Sequence, residues 1–268
     1  MFRCDTPADL AIPINASRMS FSSPARFLRS ISFAIILAAS SVMSFGKDAT
    51  TLHYLAPGRP DSTVLLAPPP FPGSAEQAAD LDEVRAVYHA AGSNDMAAAY
   101  SEKKFSAFNF APAVGAFLRP GNLPKTEAFF EKVHADAAAV TDAGKAFFKR
   151  PRPYTVDTNL ANGKLETSFS YPSGHSTESM VLALVLSDLF PEKRDSIVAI
   201  ARDIGWHRVQ SARHYPTDIY AGRTLARAIA RELKTSAAFQ HDFAEVKAEI
   251  EAAQHSAGMP AQLASPGS

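Results

Sequence analysis

Two histidines, three cations and one carboxylate form a spaced array in the second half of the chain: Lys145-x6-Arg152-Pro153, then Pro172-Ser173-Gly174-His175, then Arg208-x5-His214-x3-Asp218. Three fixed positive charges can neutralise a phosphoryl group and the extra charge of its transition state. One imidazole can attack phosphorus while the other protonates the departing oxygen. Together these residue types would perform phosphoryl transfer through a histidine, a scheme that calls for no metal and no cofactor.

Each part has a role set by its chemistry. His214 and Asp218 are four residues apart, within reach of a bond from one ring nitrogen to the carboxylate. Such a bond fixes the tautomer and leaves the other nitrogen free to attack. This makes His214 the candidate nucleophile and Asp218 its partner, although the pair could equally be a helix-start cap. His175 is the candidate general acid, then general base, which predicts a preference for acidic pH. Taken alone, it could also be a buried histidine satisfying a loop carbonyl. Lys145, Arg152 and Arg208 are candidate phosphate ligands, the arginines through their forked donors. Individually each could be a solvated surface charge. The Ser173 hydroxyl and Gly174 amide would complete the cradle, because a glycine turn opening a helix presents free backbone amides to an anion.

Helices must position these groups. Helical periodicity runs to about Ala90 after the cap-like Ser74, and again over 94–107, 125–150, 176–190, 192–210, 217–235 and 239–254. Alternating strand patterns and hairpin dipeptides are scarce. The expectation is an all-α, single helical-bundle domain with a proline-rich N-terminal arm over 47–75. Prolines 57, 60, 68–70 and 72 make that arm extended, and Tyr54, Leu55, Leu65 and Leu66 give it reason to pack. Pro151 should end the helix that carries Lys145, leaving Arg152 just past its last turn on the same side.

Composition excludes several classes. Lys plus Arg and Asp plus Glu number 27 each, so nothing marks a nucleic-acid binder. Arg26 and Arg29 precede an apolar run from Ile31 to Met43 and small residues through Gly46, the layout of a secretory signal peptide with Met19 as its start. The run is too short to span a bilayer, so no stable membrane insertion is expected. Residues 1–46 would be removed, 47–255 would form the domain, and 256–268 would be a flexible tail. The single cysteine, Cys4, lies in the removed part, which leaves no disulfide, thiolate metal site or cysteine nucleophile.

The array resembles the three-part motif of the type 2 phosphatidic acid phosphatase superfamily, K-x6-RP, PSGH and SR-x5-H-x3-D. Ser170-Tyr171-Pro172-Ser173-Gly174-His175-Ser176, Tyr54-Leu55-Ala56-Pro57 with Leu65-Leu66-Ala67-Pro68-Pro69-Pro70, and His214-Tyr215-Pro216-Thr217-Asp218 are similar to the class A bacterial non-specific acid phosphatases in particular. That resemblance implies a periplasmic, metal-independent helical enzyme, often a homo-oligomer. It would hydrolyse small-molecule phosphomonoesters, nucleotides included, through a phosphohistidine, and some members transfer phosphate to alcohols. It also implies that Lys145, Arg152, Ser173, Gly174 and Arg208 bind phosphate. One position departs: the family's Ser-Arg pair is His207-Arg208 here, so His207 either supplies a donor to phosphate or points away.

Other motifs fit less well. Asp80-Leu81-Asp82-Glu83-Val84 matches the D-x-D-x-(T/V) string of haloacid dehalogenase phosphatases, but Glu76-Gln77-Ala78-Ala79 precedes it where a strand is needed. It reads as a helix with exposed acids. Arg213-His214 lacks the glycine of the histidine acid phosphatases. The rival functions are a vanadate-dependent haloperoxidase-like protein, which would use a similar array, and a non-catalytic phosphate-binding protein.

Overall fold

Proline and capping chemistry set where the helices of this chain begin. The computed structural model describes residues 51–258, so the expected leader over 1–46 lies outside the described residues. All regular structure among the described residues is helical, as expected. A single turn, α1 (Ser62–Leu65), is followed by α2 (Ala75–Ala90), α3 (Ser93–Ser101) and the single turn α4 (Ala111–Val114). Then come α5 (Pro124–Phe148), the single turn α6 (Pro153–Val156) and α7 (Gly174–Leu189). The last three are α8 (Arg194–Gln210), α9 (Pro216–Leu233) and α10 (Ala237–Gly258).

The Ser74 side chain accepts from the Gln77 amide at 3.1 Å and opens α2. Proline supplies the first residue of α5 and of α9, where its missing N–H costs nothing. At the other end of α5, Lys149 turns left-handed at φ 51°, and Pro151 prevents resumption.

Helix α7 is the central element, with α5, α8 and α9 packed around it. Val181, Leu182, Ala183, Val185 and Leu186 are all buried, which suits a helix apolar on every side. Two glycines let α8 and α9 close on its first turn. A Cβ at Gly222 would lie 2.9 Å from the Ser173 carbonyl oxygen, and one at Gly205 would lie 3.3 Å from Ser176. That close approach brings the Ser173 amide to the Asp218 carbonyl at 3.1 Å, joining the start of α7 to the start of α9.

The arm is pinned by one carboxylate. Asp136, fully buried on α5, accepts from the backbone amides of His53, Tyr54 and Leu55 at 2.8, 2.8 and 2.9 Å. Tyr54 donates to Asp242 at 2.7 Å, and Tyr171 donates to the Ala67 carbonyl at 2.6 Å.

Several boundaries differ from expectation. Asp61 accepts from the Thr63 amide and winds 62–65 into one helical turn inside the extended arm, which leaves Leu65 exposed. The helix expected over 94–107 stops at Ser101, where the chain turns to bury Phe105. Helix α10 continues through 256–258 of the expected tail; the remainder lies outside the described residues.

Asp136→Ala would leave three backbone amides without an acceptor, those of Tyr54 and Leu55 buried. The expected loss is about 3 kcal/mol, from roughly 1 kcal/mol or more per bond. Urea unfolding would measure it, and limited proteolysis should show the arm cut first.

Candidate active site

Pro153 and the turn of α6 follow directly on Arg152, so its guanidinium is fixed from both sides. Nε donates to the Ser168 carbonyl at 2.8 Å and Nη1 to the Arg213 carbonyl at 3.0 Å. Nη1 also meets His214 Nε2 at 3.2 Å. An arginine can only donate, so His214 Nε2 carries a lone pair. On the other side of the ring, Nδ1 lies 3.2 Å from Asp218 Oδ2, and a carboxylate can only accept. Two independent neighbours thus assign the same tautomer: Nδ1–H held by Asp218, and an unprotonated Nε2 facing the Arg152 guanidinium.

Asp218 serves two purposes at once. Its Oδ2 accepts from the Tyr215 amide at 3.0 Å, closing the capping box of α9, and from Ser170 Oγ at 2.5 Å. Its Oδ1 accepts from Arg150 Nη1 at 2.6 Å. The cap on α9 and the contact to the His214 ring are therefore made by the same carboxylate oxygen.

Arg150 was not singled out from sequence, yet it is central. Its two terminal nitrogens reach Thr217 Oγ1, Asp218, Gln77 and Asp80 at 2.6–2.7 Å. Its guanidinium carbon also sits 3.8 Å from the centre of the Tyr215 ring. Asp80 corrects an expectation, because it lies on a helix as read but is buried rather than exposed. Its charge is tolerated because Arg150 at 2.6 Å and the Thr217 hydroxyl at 2.5 Å take it up. Asp82 and Glu83 are exposed as read.

The remaining array converges on the same place. Lys145 is buried and donates to the Phe169 carbonyl at 2.8 Å. Burial, helped by the neighbouring Arg152 charge, pulls its ammonium down to about 8. Arg208 is buried late on α8, donates to the Ala99 carbonyl at 3.4 Å, and has a buried Nε with no acceptor among the described residues. Ser173 caps α7 through its hydroxyl, at 3.4 Å from the Ser176 amide. The Gly174 and His175 amides precede any intrahelical acceptor.

His175 Nε2 lies 3.2 Å from the Glu102 carbonyl, to which it donates, and its ring packs against Phe105. Burial first, then the Arg208 charge, push its pKa down to about 3. Burial, Arg152 and Lys145 likewise hold His214 well below the usual imidazole value. His207 turns to the Glu102 carboxylate at 2.7 Å, and that bond raises its pKa. Glu102 thus holds one histidine by its carbonyl and the other by its side chain.

Glu166 also went unread. Its carboxylate oxygens pair with Arg152 and with Arg208, each at 2.5 Å. It belongs to the stretch that joins α6 to α7. Tyr154 is buried and grips the Glu166 main chain, while Phe169 is exposed.

Known proteins are similar to this chain. Residues 133–241 match the PAP2 superfamily. The chain is 30% identical over 225 residues to the non-specific acid phosphatase of Providencia stuartii, covering 76% of this chain and 88% of that one. It is 28% identical over 221 residues to the non-specific acid phosphatase of Salmonella typhi, covering 78% and 88%. The acid phosphatase of Zymomonas mobilis is 28% identical over 249 residues, covering 85% and 93%. The chain belongs to the PAP2 superfamily.

Arg150→Ala would strand two buried carboxylates. The expected destabilisation is about 3–5 kcal/mol, the usual cost of breaking a buried pair from one side. Chemical denaturation measures it, with Arg85→Ala, whose ion pairs lie nearer the surface, as the control expected to lose under about 1 kcal/mol.

Proposed function

We propose that this chain is a metal-independent acid phosphatase that hydrolyses small-molecule phosphomonoesters through a phosphohistidine on His214. The observation that carries this reading is the His214 tautomer. The same arginine that would bind the phosphoryl group faces the nitrogen lone pair that would attack it, and Asp218 holds the opposite nitrogen. The similarity to acid phosphatases of three bacteria supports the same activity.

In the first half-reaction, Lys145, Arg152, Arg208 and the Gly174 amide would neutralise the phosphoryl oxygens. His214 Nε2 forms the bond to phosphorus as the ester oxygen departs, and His175 donates a proton to that oxygen. Asp218 stabilises the positive charge left on the His214 ring. In the second half-reaction His175, now neutral, takes a proton from water as its oxygen attacks phosphorus, releasing inorganic phosphate and restoring His214. An alcohol in place of water gives phosphotransfer. We extend the reading to nucleotides among the substrates, to a homo-oligomer, and to export to the periplasm under the leader over residues 1–46. No helix among the described residues is long and apolar enough to cross a membrane.

The pH dependence follows from the two imidazoles. His214 is pushed well below the usual value, so it stays neutral and nucleophilic in acid. His175, lowered to about 3 in the free site, loses its proton as pH rises through that value, and a bound phosphate dianion draws its pKa upward. The rate should therefore fall with rising pH, and the fall in kcat should lie at higher pH than the fall in kcat/KM.

Hydrolysis of an aryl phosphate by the purified chain in excess chelator tests the reading. Turnover is expected, with His214→Ala inactive. His175→Ala should be slowed by about 10²–10⁴, most for poor leaving groups, and should lose the alkaline fall. No turnover by a folded protein, or chelator-sensitive turnover, would contradict it.

A further inference from the structure

Glu166 lies on an exposed surface stretch between buried Leu160 and buried Ser170, yet its carboxylate reaches inward to the catalytic array. One oxygen pairs with Arg152 Nη2 and the other with Arg208 Nη2, both at 2.5 Å. These are two of the three cations that the phosphatase reading assigns to phosphate. Burial pushes the carboxyl pKa up, but the charges of Arg152, His214 and Arg208 outweigh it and hold the group ionised. A planar carboxylate bridging two guanidinium groups makes the contacts that two phosphoryl oxygens would make.

The side chain is also built to leave. The Glu166 main chain is gripped independently of its carboxylate: Tyr154 Oη donates to the carbonyl at 2.8 Å and accepts from the amide at 3.1 Å. Rotation about the side-chain bonds can free both arginines while the backbone stays in place. Outward lies the exposed surface formed by Lys164, Leu165, Thr167 and Ser168.

We propose that Glu166 is an internal carboxylate occupant of the phosphate cradle, which a substrate must displace, and that it thereby determines which anions the cradle admits. This rests on the phosphatase reading of the site. A monoanion entering the cradle restores only the single charge that Glu166 withdraws. A phosphomonoester dianion brings a second charge and a third oxygen, which Lys145 and the amides at the start of α7 can meet. Where the monoester is a dianion, above about pH 6, the cradle therefore favours monoesters over phosphodiesters, although both carry phosphoryl oxygens.

Titration calorimetry at pH 7 separates the outcomes, since monoester-type phosphate is then largely dianionic while dimethyl phosphate is a monoanion. The wild-type chain is expected to bind inorganic phosphate and not dimethyl phosphate. Glu166→Gln should bind phosphate about tenfold more tightly, the equivalent of one charge-assisted bond no longer competed for, and should acquire measurable affinity for dimethyl phosphate. Glu166→Ala should show the same gain, which guards against a fault peculiar to the amide, and unfolding curves would confirm that both variants fold. Unchanged or weaker phosphate binding in both folded variants would overturn the proposal and make Glu166 a brace for the arginines. If those variants are unchanged while the wild-type chain still hydrolyses aryl phosphate, the phosphatase reading stands and this inference alone falls. If no form binds phosphate or turns over, both fall together.

Discussion

The site depends on one buried guanidinium shared by two carboxylates. Arg150, Asp80 and Asp218 are 4%, 6% and 0% exposed, so none of these charges could be held there alone. Because Arg150 takes one oxygen of Asp218, the other is left for His214, Ser170 and the first turn of α9. The same residue thus ends a loop, starts a helix and sets which nitrogen of His214 bears the proton. Asp80 matters at one remove. It draws Arg150 toward α2 and ties the second helix of the chain to the ninth.

Around this anchor the structure gathers three buried cations. Arg152 and Arg208 share the carboxylate of Glu166, Lys145 lies under the influence of Asp218, Asp142 and Glu178, and burial pulls Lys145 and Arg208 below their ordinary values. That concentration of cation is what the proposed phosphate site calls for. In the proposed mechanism it would also serve His214, since burial and the same cations hold its pKa well below the usual imidazole value and keep the ring neutral. Under that proposal, charge that is costly to bury would become useful once a phosphoryl group enters.

Much of this was legible in the sequence, and the failures share one cause. The seven long helices follow from periodicity and from prolines and caps acting within a few residues, such as Ser74, Pro124 and Pro216. The array was legible because its spacing is local: His214 and Asp218 are four residues apart, and Lys145 and Arg152 seven. What sequence did not show depends on long-range pairing. Asp80 read as exposed because nothing near it signals Arg150, seventy positions away. Glu166 sits in a stretch with no periodicity at all. His207 was left between two orientations, and its partner, Glu102, lies 105 positions earlier, at a turn where a longer helix was expected. Such pairs become visible only when the fold has closed.

The most direct test of the account is to catch the covalent intermediate. The full chain would be mixed briefly with excess aryl phosphate and chelator, then quenched in mild base, which preserves a phosphorus–nitrogen bond. Peptide mass spectrometry would then locate any phosphoryl adduct. An adduct on His214 is expected, forming before steady turnover and disappearing as substrate is exhausted. Sustained turnover with no adduct, or with the adduct on His175, would contradict it.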